Sequence, residues 1–312
     1  MSDSRIPLLI DTDPGVDDAL AILMAFDAPA HDVVGLTISA GNVGLKHTVA
    51  NALKLCEIAG REDVPVFPGC PDPLLHPAPD AADVHGADGF GDTGYRPAAR
   101  QADSEHAANA IIRLSYVYAG KLLLVALGPL TNLALALKLD PSLPTRIARL
   151  VVMGGAVNGR GNITPYAEFN THFDPEAAHI VFAAFARFDL SDWEATLAHG
   201  ILHQDVDAWC ATDAAEARFY DAISSANRVW SGERRGARWY SADALAMAYA
   251  LRPELAETAD HHVRVALDGP ARGMTLVDWQ GKHPAQANAR ILLRYPQPAF
   301  EAGVASALGA GG

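Results

Sequence analysis

Leu8–Ile22 reads LLIDTDPGVDDALAI. An apolar run ends on Asp11 and Asp13, the chain turns at Pro14-Gly15, and Asp17-Asp18 open a stretch with Ala, Leu, Ile and Met at helical spacing. A buried strand, a sharp turn and a helix account for that order. A single acidic residue at the start of a helix needs no more explanation than the helix dipole. Four aspartates within eight residues do, because they repel one another unless a cation or shared protons neutralise them. Carboxylate oxygens with no His or Cys among them suit Mg²⁺ or Ca²⁺.

Outward from this stretch, strand-like and helix-like segments alternate. Arg5–Ile10, Val33–Ser39, Lys121–Leu127 and Arg149–Met153 read as buried strands, and Asp17–Phe26, Leu45–Ala59 and Asn132–Leu139 as helices. Such alternation predicts βαβ units and an α/β fold: an open, mostly parallel central sheet flanked by helices. Ligands in such sheets sit beyond the carboxyl ends of the strands, which is where the aspartates lie. Val263–Leu267, Met274–Asp278 and Ala289–Leu293 read as further strands before a closing helix, and the final Gly-Ala-Gly-Gly as a frayed tail. Pro68–Asp103 and Gly154–Phe173 lack regular pattern and are expected to be functional loops, the first a lid. No repeat or linker interrupts the pattern, so residues 1–312 are read as one catalytic domain.

Composition narrows the function. Half of the 312 residues are hydrophobic and 20% are charged, as expected of a folded soluble chain. The formal net charge of −13 disfavours nucleic-acid backbones and anionic membranes as partners. No stretch approaches the roughly 18 apolar residues of a membrane span, and the first residues reach an aspartate too soon for a secretory signal. Cys56, Cys70 and Cys210 show no metal-binding or disulfide spacing, so they are expected to be reduced thiols of a cytoplasmic protein.

Leu8–Ile22 resembles the N-terminal signature of the nucleoside hydrolases, the calcium-dependent N-ribohydrolases. The resemblance continues through Gly41-Asn42, Val84-His85-Gly86 with Asp88-Gly89, and Leu127–Asn132. It extends through Met153-Gly154-Gly155, Gly161-Asn162, Ala167–Asn170 and Asp243–Ala246. It implies a Rossmann-like open sheet and hydrolysis of the N-glycosidic bond of ribonucleosides to free base and ribose. Carried over by position, it implies Ca²⁺ held by Asp13, Asp18, Asp243 and the main-chain carbonyl of Leu127, with two ribose hydroxyls and a water completing the sphere. Asp13 is implied to take a proton from that water, which attacks the anomeric carbon through an oxocarbenium-like transition state. Asp17, Asn42, Asn162, Glu168 and Asn170 are implied to hold the sugar, with Met153 against it. His85 is expected on the leaving-group side. The family's usual assembly implies a homodimer or homotetramer.

Each role has a plainer alternative. Gly161-Asn162 is a common turn pair. Asp243 heads an apolar helical run as an N-cap does, and only the resemblance makes it a ligand. Trp230, Trp239 and Tyr240 are base-stacking candidates, although aromatic residues before a helix commonly serve packing. One position departs from the family pattern: many members carry a histidine before the C-terminal metal aspartate, where this chain has Ala242. Leaving-group protonation would then fall to His85 or Tyr240, or stacking would raise the base's own basicity. Two rival functions follow: a calcium-dependent ribonucleoside-binding protein without turnover, and a hydrolase of a modified nucleoside. A more remote rival is a haloacid-dehalogenase-like phosphatase with Asp11 as nucleophile, which the family pattern disfavours because Gly15 replaces the expected Thr or Val.

Overall fold

A computed structural model of the chain describes residues 5–311. Its strands are β1 (Ile6–Thr12), β2 (His31–Ile38), β3 (Val66–Pro68), β4 (Leu122–Ala126), β5 (Ile147–Met153), β6 (Phe188–Ser191), β7 (Ile201–Leu202), β8 (Arg238–Trp239), β9 (Glu257–His261), β10 (Val263–Val265), β11 (Thr275–Val277) and β12 (Ala289–Arg294). Its α-helices are α1 (Val16–Asp27), α2 (Leu45–Ile58), α3 (Ala82–His85), α4 (Ala107–Val117), α5 (Thr131–Leu139), α6 (Phe169–Phe173), α7 (Pro175–Ala184), α8 (Trp193–Ala198), α9 (His203–Cys210), α10 (Ala215–Arg235), α11 (Ala242–Leu251) and α12 (Gln297–Ala307).

Eight strands form the central sheet in the order β3-β2-β1-β4-β5-β6-β12-β9. All neighbours pair in parallel except β9, which runs antiparallel to β12. The α/β expectation holds. Parallel strands covered on both faces need apolar residues at almost every position, and β4 (LLLVA) is buried throughout. Successive side chains of β1 part to opposite faces: Leu8 and Ile10 enter one core cluster, Leu9 the other. The chain reverses its winding between β1 and β4, so the carboxyl ends of these two strands form the topological switch point. Asp13 follows β1 there, and Leu127 follows β4.

Helix α11 explains how a distant aspartate reaches that point. Its sequence, ADALAMAYAL, is apolar all round and almost wholly buried, the pattern of a helix enclosed by protein. Alternate alanines let it pack closely on α1 and against β5 and β6. The amino ends of α1 and α11 then deliver Asp17, Asp18 and Asp243 to one place.

Departures from expectation have local causes. Val263–Val265 and Thr275–Val277 are strands, but they pair only with each other in a separate two-stranded sheet. Strand β6 and the 21-residue α10 had no expectation attached; α10 is polar on average, and Ala217, Tyr220 and Ile223 bury one face of it. Of the expected frayed tail, Gly309 and Ala310 instead close α12, with Gly309 at φ +69° and Ala310 N–H bonded to the Ala305 carbonyl. Gly312 and residues 1–4, where the expectation of no secretory signal begins, lie outside the described residues. The three cysteines are buried and unpaired. Among the described residues no helix is long and apolar enough to cross a membrane.

Asp189 on β6 joins three strands. Its carboxylate accepts from Arg149 of β5 and from Arg290 of β12, the latter through Nη2 at 2.7 Å. Arg149 also donates to the Ala250 carbonyl of α11 at 2.8 Å. Asp189 is 2% exposed, so removing its charge leaves two guanidinium groups facing a neutral, desolvated neighbour. Asp189→Asn is expected to lose about 3 kcal/mol of stability, read from urea denaturation. A loss below about 1 kcal/mol would show that solvent already screens both arginines.

Candidate active site

At the switch point, the carboxylates of Asp17, Asp18 and Asp243 each offer an oxygen within 4.8 Å of the others. Asp13 stands beside them. Two close glycines shape its seat: a Cβ on Gly41 would lie 2.1 Å from Asp13 Oδ2, and one on Gly128 2.1 Å from Asp13 Oδ1. Glycine is therefore required at both positions by space. Asp13 Oδ2 accepts from the Asn42 N–H at 2.7 Å. Asp18 is fully buried and held hardest: Oδ1 accepts from Thr12 Oγ1 at 2.5 Å, and Oδ2 accepts from the Gly15 N–H at 3.0 Å and from Asn42 Nδ2 at 2.9 Å.

Burial is the first cause of raised carboxyl pKa values here. It acts with the neighbouring Asp18 charge to push Asp13 well above the usual carboxylate range. Asp243 moves the same way through burial and then the charges of Asp17, Asp18 and Asp13. Asp17 is pushed up to about 6 by burial, against hydrogen bonds from the backbone and the charge of Arg235. Asp18 is raised by burial and by Asp17, against the hydrogen bonds from Thr12 and Gly15. Such a set, crowded, water-poor and free of nitrogen or sulfur donors, fits a hard divalent cation. Leu127 also lines this space, and its carbonyl accepts from Asn170 Nδ2 at 2.7 Å.

Asp11, the fourth aspartate of the opening motif, takes no part in this cluster. Its Oδ1 accepts from Thr37 Oγ1 at 2.7 Å and Asn132 Nδ2 at 3.0 Å, tying β1 to β2 and α5. It is buried and absent from the pocket wall, which removes the position a phosphatase nucleophile would need.

The cluster floors a cavity of about 260 Å³. Its walls include the expected Asp13, Asp17, Asn42, His85, Leu127, Met153, Asn162, Glu168, Asn170, Tyr240 and Asp243. Asp18 lies beneath the floor, fully buried. Several wall residues already hold one another. Glu168 caps α6 through the N–H groups of Asn170 and Thr171, and it accepts from the Gly155 N–H at 2.8 Å. Burial pushes Glu168 up to about 7 against these bonds. Asn162 Oδ1 accepts from the Phe169 N–H at 2.8 Å. Asn162 sits in the loop, as its turn reading has it, and Glu168 proves to be a helix cap; both still face the cavity.

His85 is not a solvated loop side chain. It is buried at the end of α3, and Nδ1 accepts from the Val16 N–H at 3.1 Å, at the start of α1. In the neutral ring the hydrogen is then on Nε2, 4.0 Å from Asp17 Oδ1. Burial pushes its pKa below the ordinary value.

Trp239 departs from the expected base contact. It is 1% exposed, packs edge-on against Tyr220, and donates from Nε1 to Asn227 Oδ1 at 3.0 Å. Its indole belongs to the core beneath the pocket, as the packing alternative had it. Trp230 and Tyr240 do line the cavity, together with Trp193, Asn227, Ser231 and Arg235, which had no expectation attached. Asn227, Ser231 and Arg235 recur at every fourth position of α10 and form one helical face. That spacing was the available signal.

Comparison with known proteins agrees with this geometry. Residues 8–302 match the family model described as inosine-uridine preferring nucleoside hydrolase. Uridine nucleosidase 1 of Arabidopsis thaliana is 37% identical over 284 residues, covering 89% of this chain and 84% of that protein. The pyrimidine-specific ribonucleoside hydrolase RihB of Escherichia coli (strain K12) is 35% identical over 287 residues, covering 91% of each. A plant nucleoside hydrolase structure superposes with a TM-score of 0.93 at 32% identity, covering 98% of this chain and 99% of that one. With the family model spanning the strand–turn–helix motif, the cavity and Asp243 alike, the chain belongs to the inosine-uridine preferring nucleoside hydrolase family.

Proposed function

We propose that this protein is a calcium-dependent ribonucleoside hydrolase that releases free base and ribose, with Asp13 as general base. Hydrolysis itself follows from family membership. The observation that carries the metal assignment is the convergence of the Asp17, Asp18 and Asp243 oxygens within 4.8 Å, with Asp13 seated between two glycines beside them. By position in the family, Asp13, Asp18, Asp243 and the Leu127 carbonyl are the proposed ligands; Asp17, whose oxygen shares the cluster, is assigned to the ribose. When bound, calcium neutralises the carboxylates, orders ribose hydroxyls and acidifies a coordinated water.

The protein's own groups supply the rest. The Asn42 N–H donates to Asp13 Oδ2 and so orients the carboxylate that takes the proton. The N-glycosidic bond breaks with its electron pair leaving on the base nitrogen, while water adds its hydroxyl to the anomeric carbon and its proton to Asp13. Asp17, Asn42, Asn162, Glu168 and Asn170 hold the sugar, and Met153 packs against it. Because Glu168 and Asn170 are fixed by backbone partners, they meet the sugar preorganised, so binding energy goes to distorting the substrate rather than ordering the site. His85 offers Nε2–H on the leaving-group side. Cavity walls drawn from Asp13 through Asp243 support a single catalytic domain. Unpaired thiols support work in the cytoplasm, and the family's habit supports a homodimer or homotetramer.

The deciding assay measures free ribose from inosine, adenosine, guanosine, uridine, cytidine and 2′-deoxyinosine, with calcium and after chelation. Ribose release that needs calcium and spares the deoxy analogue is expected. Tight binding of a ribonucleoside without release would replace the hydrolase with a binding protein. Asp13→Asn keeps size and one oxygen ligand but loses the base, so kcat is expected to fall at least about 10³-fold with the fold intact by circular dichroism. Near-normal turnover would remove Asp13 from its role. Gly128→Ala drives a methyl group into Asp13 Oδ1. Its calcium affinity, measured by calorimetry, is expected to weaken at least about tenfold; unchanged affinity would mean that Asp13 is not a ligand.

A further inference from the structure

The cavity has one strongly basic wall group, Arg235, in the last turn of α10. Three aromatic rings surround its guanidinium: Trp193 at 4.8 Å, Trp230 at 5.5 Å and Tyr240 at 5.9 Å from ring centroid to Cζ. Among the described residues no hydrogen bond or salt bridge engages it, whereas Arg146, Arg149, Arg228, Arg272 and Arg290 all hold carboxylates. Burial disfavours its charge, and Asp17 and Tyr240 oppose that effect. One helical turn earlier, Ser231 lines the same cavity, is 4% exposed, and has an Oγ without a partner. Two unpaired polar side chains at an i, i+4 interval, in an aromatic frame, leave hydrogen-bonding capacity for a flat polar ligand.

We propose that Arg235, assisted by Ser231, binds the oxygen-bearing edge of the departing nucleobase and stabilises the negative charge that develops there. This assignment rests on the hydrolase reading above and adds what that reading lacks. Ala242 carries no proton donor, and His85, whose Nδ1 accepts from the α1 backbone, offers a neutral Nε2–H but no positive charge. Arginine is a donor-only group that does not release its proton at neutral pH. It therefore acts by charge: the bond's electron pair moves onto the base, the guanidinium holds that anion, and solvent protonates the base after departure. Donor-only chemistry also selects. Uracil and hypoxanthine present carbonyl oxygens that spread the charge. Cytosine replaces one such oxygen with an amino group, and adenine has none. Uridine over cytidine and inosine over adenosine is the expected order of kcat/KM.

Arg235→Met keeps length and removes the charge, and Arg235→Lys restores a charge without the planar fork. Both are compared with the native enzyme, loaded with calcium, on uridine, inosine, adenosine and 4-nitrophenyl β-D-ribofuranoside, whose leaving group departs unaided. In Arg235→Met, kcat on uridine and inosine is expected to drop about 10²-fold. The uridine-to-nitrophenyl riboside ratio should fall at least tenfold, the inosine-to-adenosine preference should collapse, and Arg235→Lys should recover part of each. Equal losses on all four substrates would make Arg235 a structural support and overturn the proposal, as would unchanged ratios. Failure of the native enzyme to cleave any of the three nucleosides or the nitrophenyl riboside would instead overturn the hydrolase reading.

Discussion

The site depends on keeping several carboxylates together away from water. Asp17, Asp18 and Asp243 offer oxygens within 4.8 Å of one another; at an effective dielectric near 20, a fully charged pair at that distance repels by about 3 kcal/mol. Something must balance this in the folded chain. Part of the balance is local: the amino ends of α1 and α11 both point here, and their partial positive charge favours anions. Part is the hydrogen-bond cage around Asp18, supplied by Thr12, Gly15 and Asn42. Protons can supply the remainder, which is why burial lifts these groups so far, or a divalent cation can. The cation is the stronger solution because it also leaves the carboxylates ionised.

The rest of the fold can be understood as the means of holding that arrangement. A parallel sheet brings the ends of β1 and β4 together, and the reversal of winding between them opens the crevice. Gly41 and Gly128 are bare because the Asp13 carboxylate fills the space of their side chains. Alanines along α11 keep that helix close to α1, so an aspartate more than two hundred positions away meets the opening motif. Asp11, although part of the same motif, is spent on tying β1 to β2 and α5. The motif is thus half chemistry and half carpentry.

What could be read from sequence divides along physical lines. The strand, turn and first helix were legible because local patterning determines them, and the acidic crowding pointed to an oxygen-ligated cation. Asp243 could not be placed by spacing, since its position depends on helix packing; family resemblance alone put it near the motif. Asn162 has a turn residue's place and Glu168 caps α6, yet the same backbone bonds hold both at the cavity wall. Trp239 misled because an aromatic residue before a site helix can face either way, and here the Asn227 amide draws the indole inward. Arg235 went unread because α10 is polar on average, and a polar helix face normally means solvent. Only the tertiary frame turns one of its stripes into a pocket wall.

The polarity of the cavity gives these pieces a common sense. Cleaving an N-glycosidic bond separates charge: the sugar becomes positive and the base negative. Even with a divalent cation, four carboxylates leave a net negative floor, which favours the oxocarbenium-like sugar. Arg235 provides the opposite sign in the same cavity, framed by three aromatic rings. Fixed charges of opposite sign at the two ends of a breaking bond lower its barrier without reorganisation during the reaction. A protonating histidine would reach a similar end by neutralising the base as it leaves. With alanine at position 242, this chain has the groups to do so by field rather than by proton, and the preference for oxygen-bearing bases is the expected signature of that difference.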